Sequence, residues 1–222
     1  MRRGARRRSL RALAVTFLLG LAAAVPATAV VILSSWASIR SPWIAAVVGA
    51  FVVTAVPEEL LKLLVIRGYS ARQSEFRGKA DGLVYGIAAA LGFGALENAL
   101  YAIQGGWVTA ILRAATAVPM NAATGAILGY SVAISRLAPE GRRFAWKGLT
   151  AAILLHGIYD FSLLGSALVA EVGTAPNASR ILFPAAACAV LVGTVGWVIR
   201  TAQRLRGEED AARLVSEPPS EG

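Results

Sequence analysis

Ionisable side chains inside long apolar runs are the feature of this sequence that most suggests chemistry. Glu58, Glu59 and Lys62 lie in one such run, and His156 and Asp160 lie in another. If the runs span a bilayer, each ionisable side chain near the centre costs ~2.5–3.5 kcal/mol on insertion scales. Side chains this costly must face one another or a water-filled cavity. The sequence therefore predicts a polar site enclosed by apolar helices.

The spacing of these residues indicates that they share that site. Glu58 and Lys62 are four residues apart and lie on one helix face, with Glu59 about 100° round. His156 and Asp160 are also four apart, so the carboxylate can reach the imidazole and fix its tautomer. Three more polar residues at membrane depth join them as supporting candidates: Glu97, Asn98 and Asn121. Helices two to five are therefore expected to surround one site.

Hydrolysis inside a membrane can follow several routes, and most of them do not suit these residues. Serine catalysis needs a serine near His156, but Ser162 lies about 240° round the same helix and no G-x-S-x-G motif is present. An aspartyl dyad needs a second aspartate to face Asp160. A zinc site of the H-E-x-x-H type is excluded because His156 is the only histidine. A carboxylate-rich site matches zinc poorly, so we expect no cofactor, with zinc as a weaker alternative.

The remaining route is a water molecule activated by a glutamate. Glu58 or Glu59 would act as the general base, and the sequence does not distinguish between them. His156, oriented by Asp160, could protonate the leaving amine or stabilise the tetrahedral oxyanion. A side-chain amide, from Asn121 or Asn98, could donate a further hydrogen bond to that oxyanion.

Each polar feature also has a structural interpretation. Glu58 with Lys62 could be an ion pair near the interface, and Glu97 with Asn98 could join neighbouring helices. Buried acids could instead form a proton or cation path in a transporter, although no convincing internal repeat supports that class. A non-catalytic membrane scaffold is the third class. The combination of all these groups favours a hydrolase over both.

The hydropathy of the sequence predicts the helices that must position this site. Hydrophobic residues make up 56% of the 222 residues and charged residues only 16%. A bilayer core of about 30 Å needs about 20 apolar residues per spanning helix. Six runs approach or exceed that length: Leu10–Leu33, Pro42–Ile66, Gly82–Gln104, Trp107–Ser135, Phe144–Val169 and Ile181–Ile199. The sequence predicts an all-α polytopic bundle of about six transmembrane helices, with a membrane domain over residues 10–206.

The basic residues predict the orientation of the bundle in the cell membrane. Eighteen of the 22 Lys and Arg residues fall on one side, in the stretches 2–11, 67–79, 136–147 and 200–213. This is the positive-inside pattern, so both termini are expected in the cytoplasm. The net charge of +9 then reflects topology, and no aromatic-basic motif favours nucleic-acid binding. Residues 1–9 form a basic N-terminus, and the Glu-, Pro- and Ser-containing tail over 207–222 is expected to be disordered.

The motifs resemble those of a known family. Glu58–Lys62 resembles the E-E-x-x-K signature of PrsW-type intramembrane proteases, which are related to the CAAX prenyl endopeptidase/Abi superfamily. Gly92–Asn98 is similar to the family's G-F-x-x-x-E-N motif, and Leu155–Phe161 is similar to its histidine motif. Each motif is weak alone, but the ordered set between residues 57 and 161 is fairly specific.

The resemblance implies a glutamate-dependent membrane peptidase that acts on membrane-anchored proteins. Carried over by motif, Glu58 and Glu59 would be catalytic and His156 would complete the site. Many members of the family carry a histidine where this sequence has Asn121. Because asparagine binds metals poorly and cannot transfer protons, this difference weighs against a metalloenzyme and leaves an inactive homologue as an alternative. The substrate and the oligomeric state are not indicated.

Overall fold

The chain folds as a bundle of apolar helices. A computed structural model describes residues 9–34, 39–137, 141–172 and 177–216, and within them six helical spans are long and apolar enough to cross a membrane. This confirms the predicted all-α, multi-pass architecture. The helices are α1 (Leu10–Ser34), α2 (Pro42–Val47), α3 (Val56–Gly68), α4 (Lys79–Ala115), α5 (Ala117–Leu137), α6 (Gly141–Val172) and α7 (Asn177–Ser216). The second span joins α2 and α3 through a π-helical turn, Val48–Ala55. The cytoplasmic placement of the termini stays a prediction, and residues 1–8 of the basic N-terminus lie outside the described residues.

Helix α5 is the centre of the bundle. About 72% of its most apolar stretch is buried, against 11% for α7 at the periphery. It packs against α4 on one side and α6 on another, while α1 covers the other side of α4. Because its neighbours shield it from lipid, α5 can carry polar side chains such as Asn121 and Thr124 at membrane depth.

Glycines make the contact between α4 and α5 close. Gly82 and Gly86 on α4 face Gly129 and Gly125 on α5. A methyl group added to Gly129 would collide with the carbonyl group of Gly82, and one added to Gly86 would collide with that of Gly125. Small residues spaced four apart therefore allow backbone contact between these helices.

Replacing Gly129 by alanine should force α4 and α5 apart. Overpacking of a close contact costs typically about 1–3 kcal/mol, so the thermal unfolding temperature in detergent should fall measurably. Gly193→Ala is the matched control, because nothing lies within 4 Å of the added methyl group in α7. If both variants unfold at the wild-type temperature, the α4–α5 backbone contact is not the constraint described here.

The second span is interrupted, although the sequence predicts an unbroken helix over Pro42–Ile66. Pro57 has no N–H group and cannot make the normal helical hydrogen bond to the residue four positions earlier. The preceding residues adopt a wider turn, in which the N–H of Val56 donates to the carbonyl oxygen of Phe51. This turn places Ala50 and Thr54 on the wall of a cavity that His156 also lines.

The predicted boundaries of the third and fourth spans are wrong. Helix α4 starts at Lys79, where Asp81 accepts hydrogen bonds from the N–H groups of Arg77 and Gly78 at 3.1 and 3.2 Å. It breaks at Gly106, whose φ of 71° lies in the region that glycine adopts without steric cost. Residues 107–115, the returning section, therefore belong to α4, and α5 begins only at Ala117.

The returning section runs back alongside the end of the helix before it. The Nδ2 atom of Asn98 lies 3.5 Å from the carbonyl oxygen of Ala110. In a straight helix these residues, twelve apart, would be about 18 Å from each other. Pro119 also falls in the first turn of α5, where proline is tolerated, rather than in the middle of a helix as the sequence suggested.

Helix α7 extends further than its apolar run. It continues to Ser216, so residues 207–216 are helical where the sequence predicts disorder. Elongating an existing helix avoids the cost of nucleation, and the Arg204–Glu208 pair at 3.8 Å has the favourable i,i+4 spacing. Residues 217–222 of the predicted tail lie outside the described residues.

Candidate functional site

The start of α3 supplies three of the predicted site residues. Glu58 and Glu59 occupy its first turn, and Lys62 follows one turn later. The Lys62 Nζ atom lies 2.9 Å from Oε1 of Glu59 and 3.6 Å from Oε2 of Glu58. The ring of Phe93 lies 4.7 Å from the ammonium group. All three ionisable side chains are buried, so the lysine provides the countercharge that permits two adjacent carboxylates inside the bundle.

The only histidine meets both glutamates. The His156 Nδ1 atom lies 2.7 Å from Oε1 of Glu59, and Nε2 lies 3.9 Å from Oε2 of Glu58. The Oδ2 atom of Asp160 is 3.4 Å from Nε2. The sequence predicts that Asp160 fixes the tautomer, but Glu59 makes the shorter contact and does so at the other ring nitrogen. With Glu59 accepting from Nδ1–H, the Nε2 atom faces Glu58 and Asp160.

Helix α5 ties these groups together. Lys62 donates to Oδ1 of Asn121, and Nδ2 of Asn121 donates to Oε2 of Glu97 at 3.2 Å. One turn later the Thr124 hydroxyl donates to Oε1 of Glu59 at 3.1 Å. Thr124 is not among the site residues predicted from the sequence. The available signal was its position three residues after Asn121, on the same helix face.

Glu97 belongs to this network, whereas Asn98 does not reach it. Besides Asn121, Glu97 pairs with the guanidinium of Arg113 at 3.0 Å. In the described part of the chain, the Asn98 amide is placed instead against the returning section. Of the predicted supporting residues, the structure thus brings together Lys62, Glu97, Asn121 and Asp160 around the glutamates and leaves Asn98 apart.

A cavity of about 270 Å³ opens beside the network. Polar side chains form part of its wall: Glu97, Tyr101, Arg113, Asn121, His156, Tyr159 and Asp160. Small and apolar residues form the rest: Ala50, Thr54, Ala117, Met120, Leu163 and Leu164. The glutamate pair lies behind His156, and Oε2 of each glutamate is buried without a hydrogen-bond partner among the described residues. The cavity has room for several water molecules, each of which occupies about 30 Å³ in the liquid.

The donor set does not fit a divalent metal. Within the described ranges, no three His, Cys, Asp or Glu side chains are placed to share an ion. The Lys62 ammonium already lies between the carboxylates of Glu58 and Glu59, and Nδ1 of His156 is bonded to Glu59. A metal bound to the glutamates would lie beside this positive charge, which would repel it.

Comparisons with known proteins identify relatives of this chain. Curated relatives named Protease PrsW share 36% identity over 116 residues in Geobacillus kaustophilus, 35% over 116 in Bacillus subtilis and 38% over 120 in Oceanobacillus iheyensis. These alignments cover 51–52% of this chain and 52–54% of the relatives. The chain thus spans about half the length of the curated relatives it matches. No solved structure matches it significantly.

The family assignment rests on a longer match than these pairwise alignments. The profile described as PrsW family intramembrane metalloprotease matches residues 8–204, which include every site residue discussed above and all of the bundle except the end of α7. The chain therefore belongs to the PrsW family.

Proposed function

We propose that this protein is an intramembrane endopeptidase that hydrolyses peptide bonds of membrane-anchored proteins. One observation carries the proposal: the imidazole of His156 contacts both glutamates beside a cavity at membrane depth. Buried ionisable groups that converge on a cavity are typical of functional sites. The relatives named Protease PrsW support a peptidase in particular.

The contacts suggest different tasks for the two glutamates. Oε1 of Glu59 is engaged by Lys62, Thr124 and His156 at 2.9, 3.1 and 2.7 Å. Both glutamates have an Oε2 atom without a hydrogen-bond partner within the described ranges, but Glu58 makes only longer contacts, at 3.6 Å to Lys62 and 3.9 Å to His156. A general base needs a free acceptor for the proton of water. Glu58 therefore binds and deprotonates the water, and Glu59 orients His156.

The reaction then needs one proton acceptor and one proton donor. Glu58 takes a proton from the water while the water oxygen bonds to the carbonyl carbon, giving a tetrahedral oxyanion. Glu58 then passes this proton to Nε2 of His156, which delivers it to the amide nitrogen as the C–N bond breaks and the carbonyl group re-forms. The Nδ2 group of Asn121 lines the same cavity and can donate its second hydrogen to the oxyanion.

The family description includes a metal, but this mechanism has no step that requires one. The positive charge that the glutamates need is supplied by Lys62, which contacts both. The ammonium cannot bind and acidify a water molecule as a metal ion does. It holds the two glutamates in place, and Glu58 remains free to act as a base.

Cleavage can be tested without knowing the substrate. Membranes from source cells lacking the gene are supplemented with purified wild-type protein or with His156→Ala, and new protein N-termini are identified by mass spectrometry. We expect new termini within or next to transmembrane segments with the wild type only, because loss of a general acid costs about 10²–10⁴-fold in rate. A chelator should leave the yield of termini unchanged.

Two outcomes would contradict the proposal. Identical termini with both proteins would remove the peptidase assignment. Proton flux through proteoliposomes that His156→Ala blocks, without any proteolysis, would favour a transporter instead.

A further inference from the structure

We infer that Arg113 is a substrate-binding residue, whose guanidinium hydrogen-bonds a backbone carbonyl oxygen of the peptide held in the cavity. The inference rests on the proposed peptidase function and concerns a residue that the three sequence motifs do not contain. Near the end of an apolar run, Arg113 resembles an arginine that anchors a helix at the lipid headgroups. Its surroundings in the structure are different.

The fold-back at Gly106 brings Arg113 to the site. Glu97 and Arg113 are sixteen residues apart, which corresponds to about 24 Å along a straight helix. In the structure their side chains are 3.0 Å apart, and Arg113 lines the same cavity as His156. The side chain is only 18% exposed, so the guanidinium points into the bundle rather than to the headgroups.

The guanidinium is held in position but not saturated. Glu97 binds its Nη2 atom, and the ring of Tyr101 lies 3.7 Å from its central carbon. Guanidinium has five N–H donors in a planar fork. One of them, Nε, is buried without a hydrogen-bond partner among the described residues. A fixed, planar donor with unused N–H groups is suited to orienting an acceptor, which a flexible surface arginine is not.

The chemistry of peptide hydrolysis indicates which acceptor the cavity receives. In a transmembrane helix each backbone carbonyl group accepts a hydrogen bond from the N–H group four residues later. A peptide that presents its scissile bond to the cavity must therefore be locally unwound, and its carbonyl groups lose their helical hydrogen bonds. Each unsatisfied backbone group inside a bilayer costs several kcal/mol, so a donor at this wall compensates for part of the unwinding.

The charges around Arg113 favour a neutral acceptor over an acidic side chain. Glu97 already balances the guanidinium, and the carboxylate of Asp160 lies on the same cavity wall. A substrate carboxylate would meet these two negative groups, whereas a backbone carbonyl oxygen would not. The apolar part of the wall, with Leu163 and Leu164, can accept the substrate's side chains.

Binding is measured separately from cleavage. Glu58→Gln serves as the background, so that a bound peptide is not consumed. The probe is a fluorescent Leu- and Ala-rich spanning peptide of about 25 residues with a central Gly-Gly-Ser stretch, and a second version has ester bonds in that stretch. Esters are weaker acceptors than amides. Affinities are compared in proteoliposomes for the background alone and for the background with Arg113→Gln, Arg113→Lys or the exposed control Arg200→Gln.

We expect Arg113→Gln to weaken binding of the amide peptide about tenfold, in the range expected for one hydrogen bond to a charged group. Arg113→Lys keeps a positive partner for Glu97 but loses the planar set of guanidinium N–H donors. It should therefore weaken binding of the amide peptide nearly as much as Arg113→Gln does. Arg200→Gln should not change it. The Arg113 variants should bind the ester and amide peptides equally well, because they lack the guanidinium that would donate a hydrogen bond to the amide carbonyl oxygen. In the otherwise wild-type enzyme, KM should rise with kcat nearly unchanged.

The inference fails if both Arg113 variants bind the amide peptide as tightly as the background, or if the background does not bind it at all. Equal loss of affinity for the amide and ester peptides would assign Arg113 a structural role and also overturn it. The two levels of proposal remain distinguishable. Binding that depends on Arg113 without cleavage by the wild type would remove only the peptidase function, while cleavage with unchanged binding would remove only the role of Arg113.

Discussion

Glu58→Gln should abolish cleavage while leaving the folded bundle nearly as stable as the wild type. Glutamine keeps the shape of the side chain but cannot accept a proton from water, which should cost about 10²–10⁴-fold in rate or more. Glu58 has only long contacts, at 3.6 Å to Lys62 and 3.9 Å to His156, so little binding energy is lost. The measurements are the yield of cleaved termini and the thermal unfolding temperature in detergent.

Glu59→Gln is the matched comparison, and its result should differ. Three groups share one oxygen of Glu59: the Lys62 ammonium, the Thr124 hydroxyl and the imidazole of His156. Removing its charge leaves the buried ammonium with only one carboxylate, that of Glu58 at 3.6 Å, so both activity and unfolding temperature should fall. If Glu59→Gln is stable but inactive and Glu58→Gln still cleaves, the two glutamates have exchanged the tasks assigned here.

The composition of the site could be predicted from the sequence because the bilayer makes polar residues conspicuous. Glu58, Glu59, Lys62 and His156 stand in apolar runs, where their cost demands a partner. The structure confirms that they contact one another. It also shows how Glu97 joins them, because Asn121 bridges it to Lys62.

What the sequence could not predict depends on chain reversals and on residues that are ordinary in membrane helices. Hydropathy is unaffected by a helix that breaks and folds back, so it predicted a boundary between two spans at Gly106 and did not indicate that Arg113 reaches the site. Thr124 shares a helix face with Asn121 but does not stand out, because threonine in membrane helices commonly bonds its own backbone, as it also does here with Asn121. The contacts of Arg113 depend on the chain reversal at Gly106, and those of Thr124 depend on which face of α5 points to the glutamates. Neither feature can be inferred from residue composition.

Lys62 connects these findings, since the site as described depends on one buried ammonium. It joins the base, the orienting glutamate and, through Asn121, the pair formed by Glu97 and Arg113. An ion pair buried in this way contributes little net stability by itself, but removing one partner exposes the full cost of the other. The lysine is therefore expected to matter for folding as well as for catalysis.

Lys62→Met should destabilise the protein strongly, by about 3–5 kcal/mol, because methionine fills the space but leaves Glu58 and Glu59 without a countercharge. Unfolding is followed by heat in detergent, with Lys147→Met as the control, since Lys147 is exposed and should tolerate the change. Adding Glu59→Gln to Lys62→Met removes one of the two unbalanced carboxylates and should restore part of the stability without restoring cleavage. A double variant no more stable than Lys62→Met alone would mean that the lysine acts through packing against Phe93 and Asn121 instead of through charge.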